Sequence, residues 1–245
     1  MIVKDYLSEK IAKGTIHMSL LDPDKQEPAK AGEIARKMKD AGSDAVMIGG
    51  STGVTAENLA ATAKAIREAS GLPTILFPSG PAALSNEVDA MFFMSLMNSS
   101  DLSMVMGSQV YGAPIIKKLG IETIPMGYVV VEPGMKVGEV GKAMLVKRNE
   151  VEKAVAYGLA CEMMGMSYFY LEAGSGAPEH VPVEMIKAVK SVLSIPLIIG
   201  GGIRTPEAAK AIREAGADAI VTGTFIEQCE DNSKLTAVVK AAKGL

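Results

Sequence analysis

Short, nearly continuous apolar runs alternate with helix-patterned segments from one end of this chain to the other, and no Pro- or Ser-rich linker or low-complexity tract divides them. Runs that are apolar on both faces suit parallel strands covered by helices on each side. Eight strands are predicted, at Thr15–Leu21, Ala45–Gly49, Thr74–Phe77, Ala90–Leu96, Glu122–Val131, Ser167–Leu171, Pro196–Ile199 and Ala219–Val221. Helices are predicted at Glu27–Ala41, Ala56–Ser70, Ser103–Leu119, Asn149–Met164, Pro182–Leu193, Pro206–Ala215 and Ser233–Lys243, with Thr55 and Thr205 as start signals. Eight mostly parallel strands with intervening helices close into a (β/α)8 TIM barrel, a single domain of roughly 250 residues. Residues 1–245 are therefore expected to form one domain. A doubly wound open sheet would need an early strand–GxGxxG–helix unit, which the chain lacks. The third repeat is irregular: PSGPAALSNEV, from Pro78 to Val88, is too short and too rich in Pro, Gly and Ser for a full helix. An unfilled helix position there would open a route from the active face to the barrel's flank.

Three glycine-bearing segments recur about one repeat apart in the last third: YLEAGSGA (Tyr170–Ala177), IIGGGIR (Ile198–Arg204) and IVTGT (Ile220–Thr224). Each follows an apolar run and precedes a helix-like stretch, so bare backbone N–H groups would collect at one end of the sheet, as in a phosphate pocket. Glycine suits this because a phosphate can approach the backbone only where no Cβ intrudes. Gly174, Ser175, Gly176, Gly201, Gly202, Gly223 and Thr224 form the expected cup; the bland alternative is a set of tight turns.

Composition narrows the partner. With 25 Lys+Arg against 28 Asp+Glu, a net charge of −3 and no basic cluster, the footprint of a nucleic-acid binder is missing. The N-terminal MIVKDYLSEKIAKG is charged throughout and reads as a short amphipathic helix rather than a leader. No apolar run reaches the roughly 18 residues of a membrane span. Cys161 and Cys229 lie far apart without metal-type spacing and read as free thiols, which fits a cytoplasmic setting. A 48% hydrophobic composition with 16 Met and a mean hydropathy of +0.22 is greasy enough to suggest an apolar ligand.

Active sites of such barrels lie at the C-terminal ends of the strands. The first strand ends in SLLDPDK, with Asp22 at the rim; the second ends in MIGGSTGV, exposing the Ser51 and Thr52 hydroxyls. A carboxylate and a hydroxyl on adjacent strands are hard oxygen ligands of the kind that hold Mg²⁺ together with substrate phosphate oxygens. Alternatively Asp22 caps its own turn. Strand alternation puts Tyr170 and Glu172 on one face of the sixth strand. A barrel-interior Glu is costly unless partnered, so Glu172 either serves a polar ligand, including as a proton acceptor, or closes the barrel top in an ion pair with Lys25 or Arg204. His17 reads as a packed strand residue and His180 as a loop residue. The run Met91, Phe92, Phe93, Met94, Leu96 and Met97, with Met104 and Met106 beyond it, is either ordinary core or a groove for a flexible hydrocarbon.

Taken together, LDPDK, IGGSTGVT, YLEAGSGAP, GGGIR and VTGT resemble the geranylgeranylglyceryl phosphate synthase family of archaeal ether-lipid biosynthesis, with its bacterial relatives that make heptaprenylglyceryl phosphate. The resemblance covers nearly the whole chain, and YLEAGSG combined with LDPDK and GGS is specific to this family, whereas GGGIR is shared with other phosphate-binding barrels. It implies a Mg²⁺-dependent prenyltransferase that joins sn-glycerol 1-phosphate to geranylgeranyl diphosphate in the first ether-bond step. By the same resemblance Asp22 and Ser51 correspond to the Mg²⁺ site. Tyr170, Leu171, Glu172, Ala173, Gly174, Ser175, Gly176, Gly201, Gly202, Gly223 and Thr224 correspond to the glycerol-phosphate site. Family members form homo-oligomers, dimers or hexamers. Glu172 then becomes the residue that accepts or holds the acceptor hydroxyl's proton, and the greasy composition and broken third repeat become a channel for the prenyl tail. A sugar-phosphate isomerase or lyase, with Asp22 facing Glu172, and a non-catalytic binder of phosphorylated ligands are the other classes the residues allow.

Overall fold

The chain is described from a computed structural model, which covers residues 2–50, 53–80, 82–229 and 231–245. Eight parallel strands close into a barrel in sequence order, the eighth pairing with the first through Ile16–Ala219 to Ser19–Thr222. They are β1 (Ile16–Leu21), β2 (Ala45–Ile48), β3 (Thr74–Leu76), β4 (Ala90–Leu96), β5 (Glu122–Val130), β6 (Tyr168–Glu172), β7 (Leu197–Gly200) and β8 (Ala219–Thr222). The expected barrel is thus the observed one. Strand ends move by at most one residue, and β6 runs through Glu172, in keeping with the alternation that pairs it with Tyr170.

Alternation along the strands sorts side chains into two environments. On β6, Tyr168 and Tyr170 point into the barrel with Met18, Met47, Phe92 and Tyr128, while Phe169 and Leu171 point outward against helices. The N-terminal segment forms α1 (Val3–Ile11), whose Val3 and Leu7 are fully buried against the interior residues. Its first turn leaves unpaired N–H groups, and the Glu122 carboxylate accepts from Val3 N at 2.7 Å and Lys4 N at 2.8 Å. The helix therefore plugs the barrel at the end opposite the strand C-termini. His17, as expected, is a packed strand residue: Nδ1 lies 3.0 Å from Ser43 Oγ and Nε2 2.8 Å from Thr222 Oγ1.

The outer ring begins with α2 (Pro28–Ala41) and α3 (Ala56–Ser70). At the start of α3, Asn58 N donates to Thr55 Oγ1 and Thr55 N to Asn58 Oδ1, a reciprocal cap worth about 1 kcal/mol. No helix follows β3 among the described residues. The connecting loop is instead tied down by Arg67, which donates to the Glu87 carbonyl and carboxylate, both at 2.7 Å. Where one helix is predicted over Ser103–Leu119, a π-helical turn (Ser103–Gly107) leads into α4 (Ser108–Leu119). Ser95 Oγ donates to the Val105 carbonyl at 2.8 Å within that turn, and π-helical turns are often found beside functional sites. The ring continues through α5 (Met135–Val140), α6 (Val151–Met163), α7 (Val183–Lys190), α8 (Pro206–Glu214), α9 (Thr224–Gln228) and α10 (Asn232–Lys243). Of these, α5 and α9 are one- or two-turn helices that apolar periodicity does not signal. Cys161 and Cys229 are both free thiols; Cys161 is buried and Cys229 only half-buried.

Candidate active site

One cavity of about 510 Å³ opens at the C-terminal ends of the strands and has two chemically distinct parts. Its polar end is formed by Asp22, Lys25, Glu172, Ser175, Thr224 and Glu227, with Gly176 and Gly223 between them. Its apolar arm runs over β3 and β4 past Phe77, Leu84, Met91, Phe93, Met104 and Ile116. Leu84 belongs to the loop that replaces the third helix, so the missing helix does open the flank. Much of the Met/Phe run lines this arm, whereas Met106 is exposed and Met97 packs toward the helices.

Glu172 stands where the two parts meet. It is 6% exposed, above a cluster in which Tyr128 packs edge-on against Phe77 and Tyr170, and Phe77 and Tyr170 are tilted to each other, with ring centroids 5.1 to 5.9 Å apart. Its Oε1 accepts from Gly174 N at 2.7 Å, and the Tyr170 hydroxyl also bonds to the carboxylate. Burial raises its pKa to about 7 against the opposing pull of those two hydrogen bonds, so desolvation wins. The difference from an ordinary Glu corresponds to on the order of 3 kcal/mol against the ionised form. Burial, then the charge of Glu172, pushes the Tyr170 and Tyr128 hydroxyls well above their usual range, so both stay protonated. Lys25 and Arg204 bond elsewhere: Lys25 to Glu227 and Asp22, and Arg204 Nη2 to the Gly176 carbonyl at 2.6 Å. Among the described residues no ion pair neutralises Glu172. The carboxylate is thus a buried group with a near-neutral pKa facing a cavity, the setting of a general base.

The glycine loops converge as expected, but for mixed reasons. Gly174, Gly176, Gly201 and Gly202 all adopt positive φ, between +72° and +104°. A Cβ on Gly201 would overlap Glu172 Oε1 and approach Gly174 N to 2.6 Å, and one on Gly202 would lie 2.5 Å from the Glu179 carbonyl. These two glycines therefore let the β7 loop close over Glu172 and the β6 loop, and neither reaches the cavity surface. Gly176, Gly223, Ser175 and Thr224 do reach it. Ser175 Oγ and Thr224 Oγ1 lie 2.6 Å apart, joining the β6 loop to the first residue of α9. Tyr170 lies below the cavity floor, and Leu171 and Ala173 are fully buried in the helix-facing layer, so only their backbones face the loop region.

Asp22 follows β1 at the cavity edge. Its Oδ1 accepts from Asp24 N at 3.1 Å, the capping role sequence allows, while Oδ2 lies 3.5 Å from Lys25 Nζ. A Cβ on Gly50 would overlap this carboxylate, so glycine there lets the β2 loop approach it. Ser51, the other expected metal ligand, lies outside the described residues. No group of three or more His, Cys, Asp or Glu with metal-site geometry exists among the described residues. Asp22, a carboxylate at the edge of the cavity's polar end, fits a hard divalent ion that takes its remaining ligands from substrate and water. Glu227 is the site residue that sequence reasoning misses: its Oε1 accepts from Asp22 N at 3.0 Å and its Oε2 from Lys25 Nζ at 2.9 Å. It stands three residues after Thr224, but nothing in TGTFIEQ distinguishes it from a solvated helix residue.

Comparison with known proteins agrees with this geometry. Residues 5–242 match the model of the PcrB family. The geranylgeranylglyceryl phosphate synthase of Thermococcus sibiricus is 49% identical over 245 residues, covering 98% of this chain and 96% of that protein. The same-named protein of Pyrococcus horikoshii is 50% identical over 228 residues, covering 93% and 90%. Among solved structures, (S)-3-O-geranylgeranylglyceryl phosphate synthase from Thermoplasma acidophilum, in complex with its substrate sn-glycerol-1-phosphate, superposes with a TM-score of 0.97 at 43% identity over 100% of both chains. An N-acetylmannosamine-6-phosphate 2-epimerase from Clostridium perfringens, at 13% identity and a TM-score of 0.59, shares the fold alone.

Proposed function

The chain belongs to the PcrB family, and from that membership we propose that it is a prenyltransferase that moves the geranylgeranyl group of geranylgeranyl diphosphate to the 3-hydroxyl of sn-glycerol 1-phosphate. The products are geranylgeranylglyceryl phosphate and diphosphate, the first ether-bond step of archaeal phospholipid synthesis. The single observation that carries this reading is that one cavity joins a phosphate cup to a long apolar arm, with Glu172 at the junction. A sugar-phosphate enzyme has no use for such an arm.

The chemistry follows from the arrangement. The cup, with Ser175 and Thr224 hydroxyls and the bare backbone at Gly176 and Gly223, holds the glycerol phosphate so that its 3-hydroxyl lies at Glu172. The prenyl tail lies in the arm, which brings C1 of the donor to the same junction. The glycerol oxygen attacks C1, the C1–O bond to diphosphate breaks with its electron pair, and the hydroxyl proton passes to the Glu172 carboxylate. Tyr170 and the Gly174 N–H orient that carboxylate toward the cavity. Asp22, together with Ser51, would hold Mg²⁺, which when bound supplies positive charge for the leaving diphosphate.

No helix among the described residues is long and apolar enough to cross a membrane. Free thiols support a cytoplasmic enzyme that receives its lipid donor from solution or a membrane surface. Exposed Leu102, Val110, Tyr111 and Ile115 on the outer side of the π turn and α4 support a homo-oligomer. The test is incubation with Mg²⁺, geranylgeranyl diphosphate and either glycerol 1-phosphate or glycerol 3-phosphate, followed by mass spectrometry of the lipid extract. Product with the 1-phosphate alone, abolished by EDTA, is expected; no product with donors of any length would reject the reading.

A further inference from the structure

Lys25 and Glu227 touch neither the acceptor cup nor the proton-accepting carboxylate, yet both face the cavity beside Asp22. The Glu227 carboxylate side chain is 9% exposed, and a buried carboxylate needs full compensation. It receives that from two donors on the β1 loop: Asp22 N at 3.0 Å and Lys25 Nζ at 2.9 Å. The loop itself is held by Lys25 N donating to the Asp22 carbonyl at 3.1 Å, which sets the lysine stem beside the aspartate. Lys25 Nζ then stands 3.5 Å from Asp22 Oδ2, while half of its side chain remains exposed.

We propose that Lys25 binds the diphosphate of the prenyl donor and that Glu227 is the positioning residue that parks its ammonium at the cavity edge. The inference rests on the synthase reading for the identity of the donor. Asp22 and Glu227 alone would put two negative charges where a highly charged anion must enter, and a divalent ion held by one carboxylate offsets only part of that. Lys25 is the cation already in place. Of the ammonium groups lining the cavity among the described residues, Lys136 is engaged by Glu139 at 3.1 Å on α5. An ammonium with three donors, one spent on Glu227 and one only loosely on Asp22, keeps a donor for a phosphate oxygen. Glu227 also lies on the helix that begins with Thr224 of the acceptor cup, so the donor's cation and the acceptor's hydroxyl are carried by directly connected elements.

The experiment measures inorganic diphosphate binding by calorimetry, and KM for geranylgeranyl diphosphate, in the parent protein and in Lys25→Met, Lys25→Arg and Lys25→Met/Glu227→Gln. The double variant removes the carboxylate that Lys25→Met would leave buried and unpaired, and so keeps the test valid if the single variant does not fold. Diphosphate affinity is expected to fall about tenfold and donor KM to rise similarly, as for loss of one charge-assisted hydrogen bond. Glycerol 1-phosphate affinity should stay within about twofold of the parent, and Lys25→Arg should recover most of the diphosphate affinity. Unchanged diphosphate binding in the folded Met variants overturns the inference. So does an equal loss for diphosphate and glycerol phosphate, which would mark Lys25 as a mere brace. If the parent binds diphosphate through Lys25 yet forms no ether lipid, the synthase reading fails and the anion site stands. If lipid forms with unchanged KM in the variants, only the inference fails.

Discussion

Ser175 and Thr224 meet across the cavity mouth, Oγ to Oγ1 at 2.6 Å, so the loop after β6 and the start of α9 are joined by the two hydroxyls that face the expected phosphate. In the free protein one hydroxyl donates to the other; with an anion beside them both can donate to it. Ser175→Ala and Thr224→Val should each weaken glycerol 1-phosphate binding about tenfold, the scale of a hydrogen bond to a charged group. The double variant should lose less than the sum, because each single change already frees the other hydroxyl to rotate. Calorimetric titration of all three variants measures the coupling, and additive losses would count against a shared anion.

As the proposed proton acceptor, Glu172 should set the pH dependence of both turnover and stability. Its folded pKa of about 7 lies above the ordinary Glu value of 4.5, so its favourable contribution to folding is complete below the unfolded value and is lost as pH rises through 7. Turnover runs the other way, since a proton acceptor must be ionised. Catalysis should rise through a pKa near 7 while thermal stability declines over the same range. Glu172→Gln removes both slopes: turnover should fall by at least about 100-fold, and the melting temperature at pH 8 should exceed the parent's. Near-normal turnover in this variant would rule out an essential base.

The glycines of the cup divide into two kinds, and substitution separates them. Gly201 has φ +83° and its Cβ would overlap Glu172 Oε1, so Gly201→Ala should cost about 1–2 kcal/mol from the backbone alone and displace the carboxylate. Gly223 has φ −126° and its Cβ would meet Leu20 only at an ordinary 3.5 Å. Gly223→Ala is therefore expected to move the melting temperature less than Gly201→Ala while weakening glycerol 1-phosphate binding. Denaturant unfolding and ligand titration on the two variants give the comparison.

The barrel was legible because near-continuous apolar runs such as Ile16–Leu21 and Leu197–Gly200 have only one economical environment, between a filled interior and a ring of helices. The inward direction of Glu172 and Tyr170 was legible for the same reason, since strand alternation is rigid. What escaped was set by tertiary contact. The tight packing behind Gly201 and Gly202, where a Cβ would meet Glu172 and Glu179, is a tertiary constraint that the GGGIR motif does not show by itself. Glu227 looks like a solvated helix residue, yet it anchors the β1 loop. The two short helices α5 and α9 carry too few residues for periodicity to register, and the π turn before α4 is a change in hydrogen bonding that side-chain pattern does not encode.

The apolar arm predicts donor selectivity. Leu84 lies in the loop that stands in for the third helix, is only partly buried, and lines the arm on the barrel's flank. Leu84 also packs against the core cluster beneath the arm, and a larger side chain there narrows the space for the tail. Leu84→Trp should therefore cost about 1–3 kcal/mol, the scale of overpacking, and leave glycerol 1-phosphate binding intact. Turnover with geranylgeranyl diphosphate should drop relative to a donor one or two isoprene units shorter. Each methylene withdrawn from an apolar site is worth about 0.8 kcal/mol, so even partial exclusion of the tail gives a preference readable in a competition assay with mixed donors. An unchanged donor ratio in Leu84→Trp would mean that the tail leaves the junction by another route.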